Sequence, residues 1–203
     1  MRGKKLAGVF AVLLATVAGG ATVLGSPAAA STPATYTLQR GMNTTGFDAK
    51  VAAAHGYKIV TYADGSQQSV PVNPSDKSKK PSTIVHPQSG VNLYTAQDTV
   101  YGDCGYSFIE SDIVGTHKVN IRSGYKVKET SVYHGWSIYL SDNNGDSYQG
   151  NSGANASASW SKWWDNLTQV GSSFEEVRTS SYALLIDGEV CTSGGPYVLL
   201  YVS

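Results

Sequence analysis

Hydrophobic and polar positions alternate through much of the second half of this chain. Over residues 130–141, Val132, His134, Trp136, Ile138 and Leu140 fall on one side, with small or polar residues between them. A period of two marks a strand with one buried face. Residues 117–121 alternate in the same way through Val119 and Ile121, Ser123-Gly124 predicts a turn, and Tyr125 and Val127 resume the pattern beyond it. Further turns are predicted at Asn144-Gly145, within 142–146, and at Asp187-Gly188, between extended runs 182–186 and 189–191. Gly194-Gly195-Pro196 then leads into a final run, 197–202. Short period-two runs joined by such turns predict a mostly β fold, an antiparallel β-sandwich or barrel, over residues 91–203.

The preceding stretch, 31–90, reads as an N-terminal extension with one short helix and a hairpin. Residues 31–45 are polar and irregular. A helix is expected over 47–55, capped by Asn43, Thr44 or Thr45, carried by Ala52, Ala53 and Ala54, and stopped by Gly56. Phe47, Val51 and Ala54 would share one face. Asp64-Gly65 between runs 58–63 and 66–72 predicts a hairpin. Residues 73–90, with Pro74, Pro81 and Pro87, have the composition of an exposed linker.

At the start of the chain the pattern changes again. Arg2, Lys4 and Lys5 precede an uncharged apolar run from Leu6 to Leu24, which is followed by Gly25, Ser26, Pro27 and three alanines ending at Ala30. That order predicts a cleavable secretory signal over 1–30, hence a secreted, extracellular product with no membrane segment after cleavage. The signal contains three of the 15 basic residues and none of the 15 acidic ones, which leaves the mature chain mildly acidic. A mildly acidic chain argues against nucleic acid as a partner, because phosphate binding needs a positive field.

In an oxidising compartment the two cysteines, Cys104 and Cys191, are expected to form one disulfide. Neither has a cysteine or histidine at metal-ligand spacing, and His55, His86, His117 and His134 form no cluster, so no metal or other cofactor is expected.

Chemistry-bearing residues are sparse. Tyrosine is the dominant aromatic, with 13 residues, and tryptophans concentrate in Trp160, Trp163 and Trp164. Large rigid aromatic faces suit stacking on sugar rings. Adjacent residues on a strand point to opposite faces, so Trp163 and Trp164 would put one ring outside. Trp163 and Trp164, with Lys162 and Asp165 as hydrogen-bonding neighbours, therefore form the candidate ligand site. Lys118, Arg122, Lys126 and Lys128 would make a basic stripe if Ser123-Gly124 turned the chain. Asp142, Asn144 and Asp146 have the oxygen spacing that opens a calcium loop, but Ser147 stands where its glycine belongs and Gly153 where its glutamate belongs, so a hairpin turn explains them better. Glu110 and Asp112 lie two apart, a spacing that permits paired-carboxylate chemistry on one strand face. No Gly-x-Ser-x-Gly elbow, phosphate-binding glycine loop or His-Glu-x-x-His helix occurs.

The alanine-ended signal and the run Ser-Trp-Ser-Lys-Trp-Trp-Asp-Asn-Leu-Thr (159–168) resemble uncharacterised exported proteins of high-GC Gram-positive bacteria. The resemblance implies export and brings no activity or binding residue with it. The expectation is a secreted non-catalytic β domain that binds an extracellular polysaccharide or the cell wall. A carboxylate-dependent hydrolase is the alternative from enzyme chemistry, and an inhibitor or toxin acting on competing cells is a third class.

Overall fold

The computed structural model describes residues 35–86 and 101–203. The signal expected over 1–30 and the last residues of the expected linker lie outside them. Eleven elements follow one another: β1 (Thr35–Phe47), α1 (Ala49–Ala54), β2 (Tyr57–Thr61), β3 (Gln67–Pro71), β4 (Gly105–Gly115), β5 (Lys118–Asp142), β6 (Gly145–Thr168), β7 (Gly171–Val177), β8 (Tyr182–Leu185), β9 (Glu189–Thr192) and β10 (Tyr197–Val202). The fold is mostly β: a five-stranded antiparallel barrel with extra strands, one short helix and the β2–β3 hairpin.

One long strand organises the barrel. Along one edge β5 pairs with β6 for nearly its whole length. Along the other edge it changes partner twice. Residues 118–127 pair with β4, 131–135 with β8, and 138–141 with β7. From β4 the ladder continues through β1 to β9 and β8, and β8 returns to β5. The ring β5-β4-β1-β9-β8 is thereby closed, which removes the free edges an open sheet would leave at those strands. β7 and β10 extend the far end of β5 as a flap, with Val177, Val198, Leu200 and Val202 turned inward onto Ile109, Val119, Ile121, Ile138 and Leu140.

The alternation read from 130–141 is observed from His134 onward, with His134, Trp136, Ile138 and Leu140 buried and Tyr133 exposed. Val132, expected on the same face, is only half-buried, because a register shift between Ser131 and Tyr133 turns Ser131 inward instead. The expected turn at Ser123-Gly124 is absent. The chain runs straight through it within β5, and Gly124 is there for a different reason. A Cβ at Gly124 would lie 2.0 Å from the Trp160 carbonyl oxygen, so only glycine admits β6 so closely. The turns at Asn144-Gly145 and Asp187-Gly188 join β5 to β6 and β8 to β9.

In the N-terminal half, the segment expected to be irregular is strand β1 from Thr35 onward, paired with β4 and β9. Because β1 extends to Phe47, the helix starts later than its composition suggests. Asp48 caps it, its Oδ1 accepting from the Lys50 and Val51 amides at 2.9 and 3.0 Å. Ala52, and not the expected Phe47–Val51–Ala54 face, is the residue α1 buries. The proline-containing segment also does more than link. Val85 exchanges both backbone hydrogen bonds with Gln67 and is buried, as is Ser82, whose Oγ accepts from the Ser69 amide.

Cys104 and Cys191 form a disulfide, with Cα atoms 5.8 Å apart and both residues fully buried. It ties the start of β4 to β9 across the β1 strand between them. Glu189 lies against it, and the two sulfurs with this carboxylate are the one close group of metal-ligating atoms among the described residues. Both sulfurs are committed to each other.

Candidate ligand-binding groove

The four residues singled out around Trp163 do not converge. Trp164, opposite Ile121, is buried, and Lys162 holds its Nζ 5.4 Å above the Trp164 ring. Trp163, opposite Arg122, is 44% exposed on the other face, where Asp165 is also exposed. Trp164 instead belongs to an interior aromatic group. Trp160 lies 4.2 Å from His134 between ring centroids and within about 6 Å of Tyr125 and Trp136, and Trp164 meets its edge. Trp136 Nε1 donates to Ser123 Oγ at 2.9 Å, and His134 Nε2 is 3.0 Å from Asn151 Oδ1. These rings pack in and against the core, and the sequence clustering of Trp160 and Trp164 reflects that packing; His134 Nδ1 is buried without a protein partner among the described residues.

Most of the other candidates are likewise consumed internally; Asp112 is not, its buried Oδ1 having no hydrogen-bond partner among the described residues. Of the basic stripe, Lys118 donates to the Asn166 carbonyl and Thr168 Oγ1, Arg122 pairs with Glu110 at 3.2 Å, and Lys128 pairs with Glu189 at 2.8 Å. Only Lys126 stands exposed without such a contact among the described residues. The Arg122 pairing also takes up Glu110, one half of the candidate carboxylate pair. Asp142 spends its oxygens on the turn, Oδ1 accepting from Asn144 N and Oδ2 from Val170 N at 2.8 and 2.7 Å.

A site does form on the opposite, outward face of β5. Its outward positions read Tyr133, Gly135, Ser137 and Tyr139, and the positions facing them on β6 read Ala154, Ser152, Gly150 and Tyr148. Two glycines and two serines thus form a low floor between aromatic ends. Over this floor lies a shallow, open groove of about 550 Å³, lined also by Trp136, Asn151, Ser180, Ser181 and Tyr182.

Each part is held in place. At one end Tyr182 lies across Gly135, where a Cβ would come 2.7 Å from the Tyr182 Cε1, and Tyr133 stands beside it at 6.5 Å between ring centroids. At the other end Tyr139 and Tyr148 are direct cross-strand partners, 5.2 Å apart, and the Arg178 guanidinium lies 5.8 and 5.9 Å from the two rings. Between them, Ser137 sits where β8 leaves β5 and β7 takes over. Its backbone is satisfied by the connecting residues: Ser181 Oγ accepts from Ser137 N at 3.0 Å and donates to Ser137 O at 3.1 Å, and Arg178 N also donates to that oxygen. Among the described residues no Asp, Glu, Lys or Arg lines the floor of the groove, while Arg178 overlies the Tyr139–Tyr148 end.

Three buried carboxylates, Glu175, Asp187 and Glu189, lie elsewhere among the described residues. Glu175, on the inner face of β7, accepts from Ser111 Oγ, and burial pushes its carboxyl up to about 7 against the pull of Ser111 and the Gln169 amide. Burial also raises Glu189, which Lys128 and Thr44 hold back. None of the three lines the groove.

The tyrosines near the groove do not cluster in sequence as the tryptophans do. The signal was present in the outward half of the same alternation, Tyr-x-Gly-x-Ser-x-Tyr over 133–139. No protein-family model, curated protein or solved structure matches this chain.

Proposed function

We propose that this chain is an exported, non-catalytic β-barrel that binds an extracellular polysaccharide, either free or in a cell wall, in the groove on the outward face of β5 and β6. One observation carries the reading: a groove floored by Gly135, Ser137, Gly150 and Ser152 and walled by Tyr182, on a strand face that continues to Tyr133 at one end and to Tyr139 and Tyr148 at the other. Tyrosine faces stack on the apolar faces of sugar rings, while serine hydroxyls and backbone groups meet sugar hydroxyls. The basic first residues, apolar run and alanine-ended boundary of the N-terminus support export.

Co-sedimentation with insoluble polysaccharides and purified cell walls, at low and high salt, tests the reading. Binding that survives high salt and weakens in Tyr182→Ala is expected, since stacking is not screened. Failure to sediment with any of the materials, at either salt concentration, overturns it.

A further inference from the structure

We infer that the groove takes an internal stretch of a linear, uncharged polysaccharide, lying along β5 so that both tyrosine pairs hold it at once. The inference rests on the polysaccharide reading and specifies which polysaccharides fit.

Its basis is the separation of the two aromatic ends. Tyr133 and Tyr139 are six positions apart on one strand, which places them about 20 Å apart along β5. The pairs stand on opposite sides of that strand. Tyr182 comes from β8 and Tyr148 from β6, so the path between the ends crosses the floor obliquely. Between the ends the floor positions are Gly135, Ser137, Gly150 and Ser152. A monosaccharide or disaccharide can rest on one pair only; a chain of several sugars can rest on both.

A site for a chain terminus would be closed at one end by a wall or by a group that caps the terminal sugar. Here the Tyr133–Tyr182 end is open, and at the far end the Arg178 guanidinium lies over the Tyr148 ring without enclosing it. Tyr148 is 60% exposed and Tyr133 is 38% exposed, which leaves their surfaces available to a chain that continues past them.

Charge around the groove favours a neutral polymer. Arg178 lies over the far pair and has no carboxylate partner among the described residues. Against it stand Glu176, directly opposite Tyr139 on β7, and Asp146, within electrostatic reach of the Tyr139 hydroxyl. One cation flanked by two carboxylates offers no net attraction to a polyanion.

Two contacts on one rigid chain act together, the second engaging at high effective concentration once the first is made. Affinity should therefore climb with length and not saturate at the disaccharide.

The test is calorimetric titration with β-1,4-linked glucose and N-acetylglucosamine oligomers from disaccharide to hexasaccharide, alongside hydroxyethylcellulose, glycol chitin and carboxymethylcellulose. Affinity in the bound series should rise at least about tenfold from disaccharide to hexasaccharide. Tyr148→Ala should remove that rise, bringing the hexasaccharide down to about the affinity of the disaccharide. Carboxymethylcellulose should bind more weakly than hydroxyethylcellulose. Equal affinity at every length, or a hexasaccharide indifferent to Tyr148→Ala, overturns the spanning inference while leaving the groove as a sugar site. Binding to none of these sugars, together with failure to sediment with any polymer, removes both.

Discussion

Lys128 Nζ lies 2.8 Å from Oε1 of Glu189, a carboxylate with no exposed surface. The pair sits beside the disulfide, where Thr44 Oγ1 also donates to Glu189 and comes within 3.2 Å of the Cys104 sulfur. Burial raises the Glu189 carboxyl, and the ammonium opposes that rise. Removing Lys128 strands a buried charge, which costs roughly 3 kcal/mol. Lys128→Met should therefore lower the urea midpoint strongly at pH 8 and less at pH 5, where the orphaned carboxyl takes up a proton. An equal loss at both pH values would show that Glu189 is not charged in the folded protein.

Glu175 gives the second pH-dependent prediction. Its folded value of about 7 lies above the ordinary carboxyl value of 4.5. Folding therefore favours the protonated form. The stability contribution is fully present below about 4.5, falls as pH rises, and levels off above about 7. The difference is on the order of 3 kcal/mol. In Glu175→Gln the slope of stability between pH 5 and 7 should flatten by about one proton, and the variant should melt higher than the native chain at pH 8. Unchanged melting at pH 8 would place the carboxylate in a better-solvated setting than β7 provides.

The disulfide joins residues 87 apart in sequence. Closing such a loop restricts the unfolded chain by roughly 4–5 kcal/mol in the chain-entropy model. Urea unfolding of Cys104→Ala/Cys191→Ala should show a midpoint lowered by a corresponding amount, with the barrel still formed at low denaturant as judged by near-ultraviolet dichroism of its tryptophans.

Adjacent tryptophans should behave as opposites. Trp164→Ala opens a cavity in the core and should cost about 3–5 kcal/mol. Trp163→Ala removes an exposed ring and should change stability by less than about 0.5 kcal/mol. Polysaccharide binding lost in Trp163→Ala and retained in Tyr182→Ala would move the site to the opposite end of β6.

Glycine positions separate groove from fold. At Gly135 an added methyl meets the edge of the Tyr182 ring, which can swing outward, so Gly135→Ala should weaken sugar binding more than it weakens folding. At Gly124 the obstacle is the backbone of β6, which cannot swing, and Gly124→Ala should destabilise the protein by about 2 kcal/mol or more. Thermal melting and polymer binding of the two variants, measured together, check both expectations.

The sequence revealed strands wherever alternation was strong. The buried face of the middle of β5 was legible because five apolar or aromatic positions repeat there without a break. β6 was not legible, because most of its 24 residues are exposed and its composition of Ser, Asn, Gly and Ala reads as loop. Its strand character comes from β5 beside it, which supplies the ladder its own side chains do not encode. β1 was missed for the same reason: Met42 and Thr44 are buried in it, but most of the earlier positions are exposed. The groove could not be found by residue type, since Tyr133 and Tyr182 are 49 positions apart and meet only because β8 returns to β5.

Barrel closure also sets a schedule. β1, the first described strand, pairs Asn43 with Thr192, while β4 and β8, the other neighbours in the ring, come from the middle and end of the chain. The ring cannot shut until residue 192 has been synthesised and is free to dock. Every shorter nascent chain has an incomplete barrel and an unpaired Cys104. Such distant pairings fold slowly. A barrel closed by pairings this distant is therefore completed as a unit and not strand by strand.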